Sequence, residues 1–286
     1  MFKNIMCFVF SLCMLLGFAG CKRTPRAGTI CAVGSDTMVN LVQSWAEEFM
    51  KTSSDSFIAV TGGGSGTGIA GLISNSCDIA SASRKMKEQE IEKAKKNNIN
   101  PVEFIVGLDG IAVVVNPNNK VDKLTIDQLS DIFTGKITNW KEVGGEDKKI
   151  VILSREMNSG THIYFKEHVL RRNKEDSKEE FAPSALLLSS SQAIADEIIQ
   201  NSQAIGYYGM GYVNPKQKAL KIAKDKKSVY YEPSISNIIS DKYPISRPLY
   251  IYTKSQPEGK IKDFIDFALS KRGQEIVKET DFVPVN

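Results

Sequence analysis

Val60-Thr61-Gly62-Gly63-Gly64-Ser65-Gly66-Thr67-Gly68 follows a short β-rich run, 57–60, and leads into a short apolar helix expected over 69–73. A strand end, small hydroxyl residues and a helix start come in direct succession. Such a loop exposes backbone N–H groups and hydroxyls where the partial positive charge of a helix start favours an anion. Working outward, the same order recurs at Ala32-Val33-Gly34-Ser35-Asp36-Thr37, after a β-rich run at 29–33. It leads into an amphipathic helix, near 38–51, in which Met38, Val42, Trp45 and Phe49 fall at helical spacing and Leu41 and Ala46 widen the apolar face. Downstream, 78–82 reads as a strand and 87–96 as a surface helix with Ile91 and Ala94 inward. This βαβαβ order implies a parallel sheet with ligand sites at the carboxyl ends of its strands. A third loop of the same kind, Ile152-Leu153-Ser154-Arg155-Glu156-Met157-Asn158-Ser159-Gly160-Thr161, lies more than eighty residues further on. Three such loops suggest one small oxyanion held between two lobes.

The rest of the chain fits a two-lobed α/β body. An apolar run at 104–115, interrupted by Gly107 and Gly110, closes at Asn116-Pro117. Alternation then restarts, with helices expected at 126–133, 161–170 and 193–199 and strands at 150–153 and 204–208. A second β run, Arg247-Pro248-Leu249-Tyr250-Ile251-Tyr252, precedes a final helix over 259–270. Two apolar runs flanking one alternating block predict a chain that leaves lobe I, builds lobe II and returns through hinge strands. The expected bounds are 28–114 with 245–286 for lobe I and 115–244 for lobe II. Asp109, between the two glycines of the first run, is expected in a hinge turn, with a link to a ligand-side donor as the alternative. Trp140 and Phe133 read as packing residues of lobe II, and Tyr207 and Tyr208 as support for the cleft floor.

The N-terminus speaks to location. Lys3 precedes an apolar stretch, 5–18, too short to span a bilayer comfortably, and Gly17-Phe18-Ala19-Gly20-Cys21 brings small residues up to a cysteine. This resembles a bacterial lipoprotein signal (1–20) cleaved before Cys21, which would carry lipid, with 21–27 as a tether. The expected location is therefore extracytoplasmic, anchored to a bacterial membrane through Cys21. The remaining composition, 42% hydrophobic and 24% charged, suits an ordinary globular body. The formal charge of +4 falls to +3 when Lys3 leaves with the signal, since residues 1–20 hold no acid. That bias, without aromatic-basic interleaving, argues against nucleic acid. Outside the signal and Cys21, Cys31 and Cys77 remain, either as a disulfide or as buried thiols. The only histidines, His162 and His168, sit six apart on one expected helix, on different faces, so no metal site is expected.

The motifs now carry a resemblance. Gly34-Ser35-Asp36-Thr37, Gly64-Ser65-Gly66-Thr67-Gly68, Asp78-Ile79-Ala80-Ser81-Ala82-Ser83-Arg84 and Arg155 with Ser159-Gly160-Thr161 look like the PstS-type phosphate-binding family. So do Leu124-Thr125-Ile126-Asp127-Gln128-Leu129, Ile132 through Trp140, and Ala204-Ile205-Gly206-Tyr207-Tyr208. The likeness runs in order along nearly the whole mature chain. It implies a type II periplasmic-binding-protein fold, each lobe a mostly parallel sheet flanked by helices, with phosphate closed between the lobes. It implies delivery to the membrane permease of an ABC importer, a monomeric state, no cofactor and no catalysis. It also brings Asp36 and Ser83 into the site beside the loop donors.

The chemistry is consistent with that assignment. A buried phosphate needs donors to replace its hydration, and hydroxyls and backbone amides supply them without excess charge. Ser35 and Thr37, then Ser65, Gly66 and Thr67, then Ser159, Gly160 and Thr161 would donate from the three helix starts. Arg155 would give a forked, charge-assisted pair to two oxygens. Arg84 would do likewise or pair with Asp78. Asp78 itself would accept a hydrogen bond from the proton that hydrogen phosphate carries and sulfate lacks; otherwise it caps a turn or pairs with Arg84. The glycine loop lacks a following Gly-Lys-Ser/Thr, so it is no nucleotide P-loop, and neither histidine is placed as a base for a nucleophilic serine. The remaining alternatives are a receptor for another tetrahedral oxyanion, and a surface interaction protein whose anion site is vestigial.

Overall fold

The computed structural model describes residues 28–53 and 55–285. The expected signal, Cys21 and tether lie outside the described residues. In lobe I, β1 (Thr29–Gly34) lies between β2 (Phe57–Thr61) and β3 (Ile79–Ala82), parallel to both. In lobe II, β6 (Val151–Arg155) lies parallel to both β7 (Leu186–Leu188) and β8 (Ala204–Gly209). Two strands join the lobes. The long β4 (Val102–Val115) pairs antiparallel with β11 (Ser246–Thr253) up to Gly110, and with β8 from Ile111 onward. The small β5 (Lys123–Thr125), β9 (Lys218–Ala219) and β10 (Lys221–Ala223) complete the set among the described residues. The two parallel sets are thus not separate sheets. They are parts of one nine-stranded sheet, ordered β2-β1-β3-β11-β4-β8-β6-β7 with β9 on β4. The reason is that β4 is long enough to exchange partners midway. The two expected crossing strands are these two, and Asp109 lies within β4 rather than in a turn, which corrects the hinge-turn reading.

Helix positions follow the apolar periodicity. In α1 (Val39–Thr52), Leu41, Val42, Trp45, Ala46 and Phe49 are buried, and the Trp45 indole donates to Gly273 O at 2.8 Å. The next two helices are α2 (Ser65–Ile73) and α3 (Glu88–Lys96). Helix α4 (Ile126–Phe133) starts at a capping box, Thr125 Oγ1 accepting from Gln128 N and Gln128 Oε1 accepting from Thr125 N. Helix α5 (Gly160–Phe165) runs on through a wider π turn at Lys166–Leu170, and α6 (Ser191–Gln200) follows β7. Each lobe buries its own apolar clusters. One in lobe I gathers Met38, Trp45, Phe49, Phe264 and Phe282; one in lobe II gathers Phe133, Trp140, Phe165, Tyr207 and Ile222. Among the described residues no helix is long and apolar enough to cross a membrane.

Candidate functional site

The three loops meet where the parallel strands end. Gly34 closes β1 with φ of 150°, and a Cβ there would stand 2.0 Å from Ser81 O, so the chain can pass only as glycine. That close passage lets Ser35 N donate to Ser81 O at 2.8 Å. The Ser35 hydroxyl is buried with no hydrogen-bond partner within the protein. Ser65, at the start of α2, accepts from Ser83 N at 3.0 Å and lies 3.3 Å from the Ser83 hydroxyl. From lobe II, Ser159 caps α5 by accepting from His162 N, followed by Gly160 and Thr161, all three buried. The lobes touch here. The Thr37 and Thr161 hydroxyls are 2.8 Å apart, and a Cβ on Gly160 would come within 2.3 Å of Ser65 Oγ and 2.7 Å of Ser83 Oγ. Ser35, Thr37, Ser65, Ser83, Ser159, Gly160 and Thr161 therefore form one cluster drawn from both lobes.

Two arginine–aspartate pairs frame the cluster. Asp36, from lobe I, forms an ion pair with Arg155 Nη1 of lobe II at 3.1 Å and accepts from Ser191 N at 2.7 Å. Arg155 also donates to Ser191 Oγ, Ser189 O and Leu188 O. The expected free fork is thus taken up by the protein: Nε and both terminal nitrogens already have partners. Burial pulls the Arg155 guanidinium below its usual range, opposed by Asp36 beside it. The arginine of the other pair was missed in the sequence. Arg247 on β11 donates Nε and Nη2 to Asp109 Oδ2 at 3.1 and 2.8 Å, both side chains fully buried. Its Nη2 also lies 2.9 Å from Thr161 Oγ1 and 3.5 Å from Thr37 Oγ1, while Nη1 is buried without a partner. Burial pushes the Asp109 carboxyl up and Arg247 draws it back down. A charged residue inside an otherwise apolar β run was the available signal.

Four expected site residues are placed differently. Asp78 precedes β3, whereas the cluster lies beyond the other end of that strand, about 13 Å along at 3.3 Å per residue. Its carboxylate accepts from Cys31 N at 2.9 Å and pairs with Lys254 at 3.1 Å, so it neither faces the cluster nor meets Arg84. Arg84 forms a two-pronged pair with Glu90 at 2.7 and 2.8 Å, leaving Nε buried and unpartnered. The capping position of Glu90 on α3 brings it under Arg84, which sequence order alone did not reveal. Gly66 N donates to Asn158 O at 2.9 Å, and the exposed Thr67 hydroxyl donates to Gly63 O at 2.7 Å. With Asn158 Nδ2 donating to Gly63 O at 2.8 Å, these residues serve lobe-to-lobe contact at the rim.

The supporting residues agree better. The Tyr207 hydroxyl lies 2.7 Å from Ser154 Oγ and its ring stacks on Phe165 at 3.9 Å, while Trp140 donates to Gln203 O. His162 packs on Phe181 and its Nδ1 lies 3.2 Å from the buried Ser154 Oγ, so one histidine does stand within reach of a serine, against the expectation, while His168 stacks on Tyr164. Cys31 and Cys77 are free thiols, and burial pushes Cys77 up to about 12. Among the described residues no cluster of His, Cys, Asp and Glu could hold a metal.

Residues 21–272 match the family model of the PBP superfamily domain. The phosphate-binding protein PstS of Staphylococcus aureus is 34% identical over 266 residues, covering 90% of this chain and 79% of the relative. The chain belongs to the PstS-type phosphate-binding family. The PstS of Pseudomonas aeruginosa is 29% identical over 281 residues, covering 92% of this chain and 85% of its own. Among solved structures, one from Clostridium perfringens with bound phosphate superposes with a TM-score of 0.80 at 33% identity, over 90% of this chain and 100% of that one. An ABC-type phosphate transport receptor from Vibrio cholerae gives 0.71 at 32% identity, over 89% and 99%.

Proposed function

We propose that this protein captures inorganic phosphate between its lobes and delivers it to an ABC importer, without chemistry. The observation that carries the reading is the hydroxyl cluster of Ser35, Thr37, Ser65, Ser83, Ser159 and Thr161, gathered from the three loops and the end of β3, with the Ser35 hydroxyl buried and unpartnered. An unpaired buried hydroxyl costs about 1–3 kcal/mol, which an oxyanion acceptor would relieve. Backbone N–H groups of the same loops add donors without added charge. Asp36 carries the carboxylate role first given to Asp78: it lies beside the cluster, and Arg155 and Ser191 N hold it there. A carboxylate at the site accepts a hydrogen bond from the P–OH of HPO4(2−) or H2PO4(−), and meets sulfate with an unpaired acceptor and repulsion. The lobes are residues 28–114 with 245–286, and 115–244. Phosphate stabilises closure only through its differential contacts with the closed form. The chain is lipid-anchored at Cys21 outside the cytoplasm, works as a monomer and docks on a membrane permease.

Titration calorimetry of residues 27–286, stripped of bound ligand by partial unfolding, tests this reading. One-to-one phosphate binding at micromolar affinity or tighter, about −8 kcal/mol, with no response to sulfate, is expected. Equal affinity for sulfate makes the protein a general oxyanion receptor, and silence toward both anions removes the transport reading.

A further inference from the structure

An interlobe groove of about 570 Å³ opens beside the hydroxyl cluster. Its walls come from lobe I at Arg84 and Met86, from lobe II at Tyr164 and His168, and from the joining strand β11 at Pro248 and Tyr250. Arg247 belongs to both places. It backs the groove, with its guanidinium 5.6 Å from the Tyr164 ring centroid, and its Nη2 meets Thr161 and Thr37 of the cluster. Only 2% of Arg247 is exposed, so the planar head fills the space it occupies.

We propose that Arg247 is a specificity-determining residue, a partition that closes the oxyanion site toward the groove and restricts the ligand to inorganic phosphate. The proposal rests on the phosphate reading above and deepens it. An organic substituent on phosphate needs an exit from the site. The groove has the volume and the tyrosine, histidine and proline surfaces to hold a small organic group, yet the Arg247 head stands between. Asp109 makes the barrier rigid. Two hydrogen bonds to one carboxylate oxygen, fully buried, fix the guanidinium plane, and swinging it aside would strand a buried carboxylate. Met210 N holds that carboxylate in turn at 3.1 Å through Oδ1. The remaining nitrogen, Nη1, has no protein partner and is the donor left for an oxyanion. A neutral gate of the same size could exclude esters but would add nothing to phosphate binding. A guanidinium does both.

The test is calorimetric titration of the wild type, the double variant Asp109→Asn/Arg247→Ala and Arg247→Lys with phosphate, glycerol 3-phosphate and phenyl phosphate. The double variant removes both charges, so no lone ion is left buried, and thermal melting checks that it folds. Wild type should bind phosphate and neither ester. The double variant should bind phosphate roughly 10- to 100-fold more weakly, the loss of one charge-assisted contact, and should bind phenyl phosphate within about tenfold of its phosphate affinity. Arg247→Lys keeps the charge opposite Asp109 but not the planar head, and should show a smaller gain of ester binding. Folded variants that bind phosphate and still reject both esters overturn the partition, as does ester binding by the wild type. Variants that bind no ligand at all overturn it too, by making Arg247 indispensable to the anion itself. A wild type silent toward phosphate identifies failure of the underlying reading instead.

Discussion

Replacing Gly160 with alanine should uncouple phosphate affinity from fold stability. A Cβ there would lie 2.3 Å from Ser65 Oγ and 2.9 Å from Ser65 Cβ. Rotating the serine hydroxyl away therefore does not relieve the clash, because the carbon remains too close. Gly160 belongs to lobe II and Ser65 to lobe I, so the clash is relieved by separating the lobes by about 1 Å, to ordinary van der Waals contact. At that separation the 2.8 Å contact of Thr37 with Thr161, the 2.9 Å bond from Gly66 N to Asn158 O and the 3.1 Å pair of Arg155 with Asp36 all lengthen beyond hydrogen-bond range. Neutral bonds contribute about 1 kcal/mol net and charged ones about 1.5–3. The closed form thus loses about 3–5 kcal/mol relative to the open one. Apparent affinity scales with the closed fraction, so phosphate binding should weaken by about 10²- to 10⁴-fold. Each lobe keeps its own core, and alanine is a better helix former than glycine. Melting of the ligand-free protein should accordingly stay within a few degrees of wild type. Calorimetry with phosphate and a ligand-free melt decide the matter together. A Gly160→Ala protein that binds phosphate within about threefold of wild type refutes the placement of the site at this interlobe contact.

Asp78→Asn should leave phosphate affinity and sulfate rejection unchanged while costing about 1–2 kcal/mol of stability through the weakened Lys254 pair and Cys31 bond. Asp36→Asn should instead weaken phosphate binding by roughly 10- to 100-fold and narrow the gap to sulfate; parallel titrations with both anions separate the two carboxylates. Acid should destabilise the fold through His162. Burial lowers its folded pKa from 6.5 to about 4, so between those values the unfolded chain binds more protons. That contribution is complete above about pH 6.5 and is lost as pH falls toward 4, by about 3 kcal/mol at most. Denaturant titrations of wild type and His162→Gln across that window should show a shallower pH slope in the variant, and identical slopes would remove His162 as the cause.

Much of the architecture was legible because local rules governed it. Helix α4 begins and ends where its capping box and apolar spacing place it, and the buried positions of α1 are those the periodicity named. The two crossing runs were visible as apolar stretches interrupted by glycine or proline. The helix expected to be the last is Gly259–Leu269, and the one after it, Lys271–Glu279, was not visible in the sequence. Its charged sequence offers few apolar landmarks, and its buried face is set by packing against the first lobe.

The candidate site divides along the same line. Sequence alone located the three glycine- and hydroxyl-rich loops, because strand end, glycine, hydroxyl residue and helix start are neighbours in the chain and backbone geometry does the rest. It could not determine which charges meet across the cleft. Asp78 and Arg84 stand six residues apart on one segment, yet they point to Lys254 and Glu90. Asp36 meets Arg155 across 119 positions, and Asp109 meets Arg247 across 138. Those pairings follow from the exchange of strand partners along β4 and from closure of one lobe on the other. Long-range geometry of that kind is settled by the packing of the whole sheet, to which no local pattern of residues gives access.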